Sequence, residues 1–258
     1  MQKQFSANII KQLSEDIKAK KELSGLMDSF VEDEIKRYLL QNPKINLEKI
    51  KERRQAIKGV RSVLRKSAGV FIRPTKTTGF DSLLLKHEST KERAQIYPEI
   101  YQRIFHITGS PKAILDLGCG INPLSYKFLK IKPKYYAFDV NAIVVDIVKD
   151  FFKKKKISGT AGLVNLREKS GLKLPKADIC FLFKVLDSIE IEKGHKLAEN
   201  LIKQIPCRWI VASFSTRTLS GRRMNHPYRG WIEQLCRRLG YFYEIMEYES
   251  EIFYLIRK

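Results

Sequence analysis

An apolar strand running directly into Asp-x-Gly-x-Gly constrains this chain more than any other feature. The segment is Ile114-Leu115-Asp116-Leu117-Gly118-Cys119-Gly120-Ile121-Asn122-Pro123, and a second apolar run, Tyr135-Tyr136-Ala137-Phe138, ends in Asp139 nineteen residues after Gly120. Two strands with this spacing belong side by side in an α/β sheet, both ending at the carboxyl edge where such sheets bind ligands. Gly118 and Gly120 let the backbone approach a ligand closely, and Asp139 is placed to accept hydrogen bonds from two ribose hydroxyls. Together they predict an adenosine site.

What is missing narrows the choice of adenosine ligand. A dinucleotide fingerprint places a third glycine where a helix N-terminus meets pyrophosphate, and this chain has Pro123 there. No G-x-x-x-x-G-K-[ST] run occurs, which excludes a P-loop. Asp116 would repel a phosphate but suits a cationic amino-acid group, which points to S-adenosyl-L-methionine.

With 258 residues, 43% of them hydrophobic, the chain can bury a full core. Its formal net charge of +21 is the footprint of a polyanion binder, nucleic acid before an anionic membrane. No apolar run reaches the roughly 20 residues needed to cross a bilayer, and Met1-Gln2-Lys3-Gln4-Phe5 lacks the apolar core of a signal peptide, so the expected location is the cytoplasm. Cys119, Cys180, Cys207 and Cys236 are widely spaced with no C-x-x-C pair, which predicts buried thiols and no metal site.

The pattern changes near residue 107. Before it, apolar positions such as Ile9, Ile10, Leu13 and Ile17, then Phe30, Val31, Ile35 and Leu39, recur at helical spacing. After it, strands are predicted at Ala113–Leu117, Tyr135–Asp139, Thr160–Leu166, Ile179–Phe183 and Trp209–Phe214, with helices between, and an antiparallel pair at Tyr241–Tyr248 and Ile252–Ile256. The expected organisation is a helical, basic domain over 1–106 and a doubly wound α/β domain over 107–258, its mainly parallel sheet covered on both faces.

Charge is concentrated in two places. Between Lys49 and Lys76 ten basic residues face Glu52 alone, and Arg54, Lys58, Arg61 and Arg65 fall at i, i+4, i+7 and i+11, one face of a helix. A face of one sign repels itself until a polyanion neutralises it, so these four are predicted to contact RNA. Arg217, Arg222 and Arg223 lie in the polar loop after the Trp209–Phe214 strand, at the ligand edge of the sheet, and are predicted to join them.

Several segments together resemble the aminoglycoside-resistance methyltransferases that modify N7 of a guanine in the decoding region of small-subunit ribosomal RNA. They are His87-x-Ser89-Thr90-x-Glu92-Arg93, Asp116-Leu-Gly-Cys-Gly-x-Asn122-Pro123-Leu124, Lys184-x-Leu186 with Glu190, Ser213-Phe-x-Thr216-x-x-Leu219-x-x-Arg222 with Met224, and Glu251-Ile-x-Tyr254-x-Ile256-x-Lys258. Asp-x-Gly-x-Gly is shared by many methyltransferases, whereas the first and fourth segments in this order are specific. The resemblance implies a class I, Rossmann-like methyltransferase sheet with an all-helical N-terminal extension, acting as a monomer on the small ribosomal subunit. It implies that Arg93 grips the methionine carboxylate, Gly118 lies beneath the cofactor and Asp139 holds the ribose. His87, Asp116, Gly120, Asn122, Asn165, Leu166 and Lys184 complete the implied cofactor site. Lys184, Arg222, Met224 and Glu251 are implied to shape the pocket for the target guanine. Two departures stand out: Asn165 replaces the family's aspartate beside the adenine, and the loop from Arg222 to Tyr228 is shorter. Two other readings share these residues, a non-catalytic RNA-binding protein, favoured only by Asn165, and a methyltransferase for small molecules, disfavoured by the charge.

Overall fold

Strands buried on both faces are apolar at every position, and their alternate residues serve two different cores. In β4 (Ala177–Phe183), Ile179, Phe181 and Phe183 point to one core and Cys180 and Leu182 to the other. β5 (Cys207–Ser215) divides Trp209 and Val211 from Ile210, Ala212 and Phe214 in the same way. The computed structural model describes residues 6–67, 79–86, 88–168, 171–190, 194–218 and 221–258.

These strands are the middle of a seven-stranded sheet, completed by β1 (Ala113–Leu117), β2 (Lys134–Asp139), β3 (Gly159–Leu163), β6 (Phe242–Glu247) and β7 (Glu251–Arg257), in the order β3-β2-β1-β4-β5-β7-β6. The first five in that order run parallel, and β7 inserts antiparallel between β5 and β6. The chain reverses direction across β1 and β4, so their carboxyl ends open a crevice.

Among the described residues six helices precede the sheet: α1 (Ala7–Lys18), α2 (Asp28–Gln41), α3 (Ile50–Ser67), α4 (Phe80–Lys86), α5 (Glu88–Arg93) and α6 (Tyr97–Thr108). Within the sheet region lie α7 (Ala142–Lys155), α8 (Leu186–Ile189), α9 (Lys196–Gln204) and α10 (Gly230–Leu239). One face of the sheet is covered by α4, α6 and α7, the other by α8, α9 and α10. None of the described helices is long and apolar enough to cross a membrane.

Three differences from the sequence expectations have physical causes. The helices expected before residue 106 divide between two cores. Only α1 to α3 share a separate core, built on Leu13, Ile17, Phe30, Ile35, Val60 and Leu64. Leu83, Leu84, Tyr97, Ile100, Tyr101 and Ile104 pack against the sheet instead. β3 stops at Leu163 and not Leu166, because the Asn165 side chain accepts from Arg167 N at 3.1 Å and turns the chain. After β1 the chain forms a 3-10 helix, Asn122–Leu129. There the Ser125 hydroxyl takes the Asn122 carbonyl, at 2.6 Å, that an α-helical turn would use.

The helical unit is fastened beside the crevice. Met27 N donates to Val140 O at 3.0 Å and Ala142 N to Gly25 O at 2.7 Å, pairing the α1–α2 link with the turn after β2. Glu34 on α2, fully buried, accepts from Arg167 Nη1 at 3.0 Å beyond β3.

Candidate active site

The glycine turn after β1 has the predicted conformation, and its two glycines serve different ends. Both have positive φ, +62° at Gly118 and +49° at Gly120. A Cβ at Gly118 would stand 2.7 Å from Val185 Cγ2, so packing alone requires glycine there. At Gly120 no heavy atom lies within 4 Å of that position, which leaves bare backbone open to a ligand. Asp139 is tied to the same turn: Oδ2 accepts from Gly120 N at 2.8 Å and Oδ1 from Asn141 N at 2.9 Å. Burial pushes the Asp139 carboxyl above its ordinary value, and these backbone donors hold it down in part. Each oxygen keeps a lone pair for a hydroxyl. Open backbone beside a fixed acceptor fits the ribose and adenosine of S-adenosyl-L-methionine.

Beneath the turn lies a closed chain of hydrogen bonds. Tyr97 OH donates to Asn122 Oδ1 at 2.9 Å, Asn122 Nδ2 to Asp116 Oδ2 at 2.9 Å, and Tyr135 OH to that same oxygen at 2.7 Å. Burial raises the Asp116 carboxyl to about 6, against the pull of Asn122, Tyr135 and Arg93. Asn122, expected at the cofactor, has its amide committed to Tyr97 and Asp116 and supports the acid instead.

Four distant segments meet at the ends of β4, β5 and β7. Arg93 and Glu251 are almost wholly buried and joined Nε to Oε2 at 2.8 Å, with the guanidinium 4.9 Å above the Phe183 ring. Burial opposes the Arg93 charge, but Glu251 and Tyr97 outweigh it, and the guanidinium lies above its ordinary value. Ser213 Oγ donates to Glu251 Oε1 and accepts from Lys184 N at 3.1 Å. Lys184 has φ +59°, an uncommon left-handed conformation for a side-chain-bearing residue, and its ammonium meets Glu92 at 2.5 Å and Glu251 at 3.7 Å. Glu251, almost wholly buried, is engaged at Oε1 by Ser213 and at Oε2 by Arg93, and so ties Arg93 and Lys184 to the end of β5. Sequence reasoning singled out neither Ser213 nor Glu92 as a site residue, although both stand in segments it marked as specific.

Other predicted positions divide. Asn165 Nδ2 donates to Asp33 at 2.9 Å and Ser29 at 3.4 Å, both on α2, and its Oδ1 accepts from Arg167 N. Leu166 packs in the core on the α8 side of the sheet. His87 lies outside the described residues, as do Leu219 and Ser220. The loop after β5 folds back on itself: Thr218 N donates to Arg222 O and Met224 N to Thr216 O, both at 2.8 Å. Arg217 pairs with Glu249, Met224 is half-buried, and Arg222 and Arg223 are exposed.

The basic face of α3 is only half available. Arg54 and Lys58 are exposed, but Arg61 donates to the carbonyls of Asp16 and Ile17 at 2.5 and 3.4 Å. Arg65 pairs with Glu22 at 2.7 Å. Of the two, Arg65 is ion-paired by Glu22 in the turn after α1, and Arg61 keeps its charge while held by the α1 carbonyls. All four cysteines are free and buried.

Residues 47–255 match the FmrO ribosomal RNA methyltransferase family. The chain is 30% identical over 151 residues to a 16S rRNA (guanine(1405)-N(7))-methyltransferase of Proteus mirabilis, a match covering 54% of this chain and 50% of that protein. It is 27% identical to the protein of the same name from Serratia marcescens, covering 81% of this chain and 85% of that one. The alignment with a Frankia casuarinae relative spans 61% of its length, so the chain matches about half to three fifths of several curated relatives. In fold it superposes on an Escherichia coli rRNA methylase with TM-score 0.74 at 21% identity, covering 96% and 99% of the two chains. Against the 16S rRNA methyltransferase RmtF, solved with S-adenosyl-L-homocysteine, the TM-score is 0.77 at 19% identity, covering 98% and 100%. With a class I methyltransferase sheet, an open glycine turn, four distant segments meeting at its edge and a family match over residues 47–255, the chain belongs to the FmrO ribosomal RNA methyltransferase family.

Proposed function

We propose that this protein transfers a methyl group from S-adenosyl-L-methionine to N7 of a guanine in the decoding region of 16S rRNA, on the assembled small subunit in the cytoplasm. Protection against aminoglycosides is the consequence. The observation that carries this reading is the meeting of Arg93, Lys184, Ser213 and Glu251 beside the Gly118–Gly120 turn. The Proteus and Serratia relatives, by name, act at that atom of 16S rRNA.

Guanine N7 carries a lone pair and no proton, so no side chain has to act as a base. When bound, the donor supplies a methyl group on a sulfonium that is already a good leaving group. The chain's residues bind and orient. Asp139 holds the ribose and Asp116 favours the cationic amino acid. Arg93, kept charged and fixed by Glu251, meets the donor's carboxylate. Lys184, held by Glu92 and Glu251, stands where a guanine O6 can accept from its ammonium, and Arg222 and Met224 close the approach. Positioning of this kind supplies most of the acceleration in a transfer without proton movement. The major groove of A-form RNA is too narrow to admit such a site, so the guanine must be extruded or already exposed by folded rRNA. Asn165, the one feature that favoured a non-catalytic protein, is explained by its bonds to α2.

The test is nucleoside mass spectrometry of small subunits treated with protein and donor, combined with borohydride and aniline cleavage, which cuts at N7-methylated guanine. N7-methylguanine on subunits, with naked rRNA a poor substrate, is the expected result. A methylated adenosine or cytidine would retain the enzyme class and overturn the target, and no methylated nucleoside would overturn the activity.

A further inference from the structure

A cleft of about 350 Å³ separates the helical unit from the sheet, next to the cluster just described, and shares Lys184 with it. Arg37, Val63 and Ser67 line it from α2 and α3, and Arg167, Asp187 and Phe214 from the catalytic region. Its volume falls within the range of small-ligand sites, roughly 300–1,000 Å³. Two polar atoms on its lining are buried without any partner, Arg167 Nε and Ser67 Oγ. Buried donors are nearly always satisfied, so two on one lining mark a place where an acceptor is brought from outside.

The charges around the cleft decide what that partner is. Arg37 and Arg167 both pair with Glu34, Lys184 with Glu92, and Asp187 with Arg229 at 3.1 Å. A lining already balanced in this way offers little to a phosphate. It suits a flat neutral group bearing both donors and acceptors, flanked by the apolar side chains of Val63 and Phe214. A nucleobase is such a group.

We propose that this cleft seats the extruded target guanine by its Watson–Crick edge. N1–H and the 2-amino group donate to the Asp187 carboxylate, which remains half-exposed, and O6 accepts on one lone pair from the unmet donors of the lining and on the other from Lys184. N7 lies on the opposite side of O6 and is thereby turned out of the cleft toward Lys184 and the methyl donor. Asp187 then selects guanine over adenine, whose N1 is an acceptor and would face a carboxylate unpaired. The proposal rests on the methyltransferase reading above and adds the seat and the discriminating residue.

The experiment uses the full chain on assembled small subunits, with guanine or inosine at the mapped target; inosine keeps N7 and O6 but lacks the 2-amino group. Wild type should methylate the inosine subunits at least tenfold more slowly. Asp187→Asn should lose at least tenfold in kcat/KM on guanine and methylate the two substrates at similar rates. Val63→Trp, which fills the cleft, should abolish methylation. In both variants the affinity for S-adenosyl-L-methionine by calorimetry and the melting temperature should be retained. If Val63→Trp folds and methylates normally, or Asp187→Asn still discriminates against inosine, the proposal is overturned. Loss of donor affinity together with methylation would assign the cleft to the donor and overturn it equally. Failure of wild type to methylate either subunit would instead overturn the methyltransferase reading, and this proposal with it.

Discussion

Asp116 meets two opposed requirements, since it is buried among hydroxyl and amide donors and is the acid proposed to favour the donor's cationic group. Its carboxyl is raised from 3.8 to about 6, so the folded donor-free protein holds a proton there that the unfolded chain has already released. This contribution to stability is complete below about pH 4 and is lost as pH rises through about 6, on the order of 3 kcal/mol for a shift of this size. A cationic ligand draws the group back to its ionised form. Donor affinity measured by calorimetry should therefore weaken by about tenfold from pH 7.5 to 5, and Asp116→Asn should remove most of that slope; equal slopes would separate Asp116 from the cofactor. Asp139 gives a second prediction. Asp139→Ala removes acceptors for the ribose and for Gly120 N and Asn141 N. With charge-assisted hydrogen bonds worth roughly 1.5–3 kcal/mol each, donor binding should weaken at least tenfold and the melting temperature should fall. Unchanged affinity in that variant would remove Asp139 from the ribose.

At the scale of elements, α3 divides between two tasks along its length. Arg54 and Lys58 are free to meet phosphates, and reversing both to Glu should flatten the salt dependence of subunit binding by about two counterions while leaving donor affinity intact. A salt slope equal to that of wild type would make this a solvated face. Arg61→Ala should act on stability instead, by roughly 0.5–1.5 kcal/mol in denaturant unfolding, because it removes the side-chain hydrogen bonds that tie α3 to the end of α1. The helical spacing of the four cations is visible in sequence, but the acid and the carbonyls that engage Arg65 and Arg61 come from more than forty positions away. The central strands β4 and β5 were legible for the opposite reason: burial on both faces writes itself as an apolar run, and the glycine turn must carry its own residues. Helical periodicity in Leu83, Leu84, Tyr97 and Ile104 announces an apolar face without saying what covers it, so the sheet's claim on α4 and α6 was hidden. Asn165 illustrates the same limit within the site, since its position in a motif said nothing of Asp33 on α2.

Across the whole molecule, Glu34 is the buried joint between helical unit and sheet, accepting from Arg37 and Arg167 with no exposure of its own. Glu34→Ala would strand two guanidinium groups and should destabilise the fold by about 3–5 kcal/mol in calorimetric melting. A loss below 1 kcal/mol would show that the two units do not depend on this joint. The turn from Val140 to Ala142 has a wider consequence. On one side its Asn141 N–H binds the carboxylate assigned to the ribose, and on the other Val140 O and Ala142 N pair with the link between α1 and α2. Under the proposed function, donor and ribosome act on this single three-residue segment from opposite directions. Any factor by which a filled donor site tightens the grip of the helical unit on the subunit must equal the factor by which the subunit tightens the donor. Loading at the ribosome and docking onto it then become two readings of one coupling free energy, which binding of the donor to free and subunit-bound protein would measure directly.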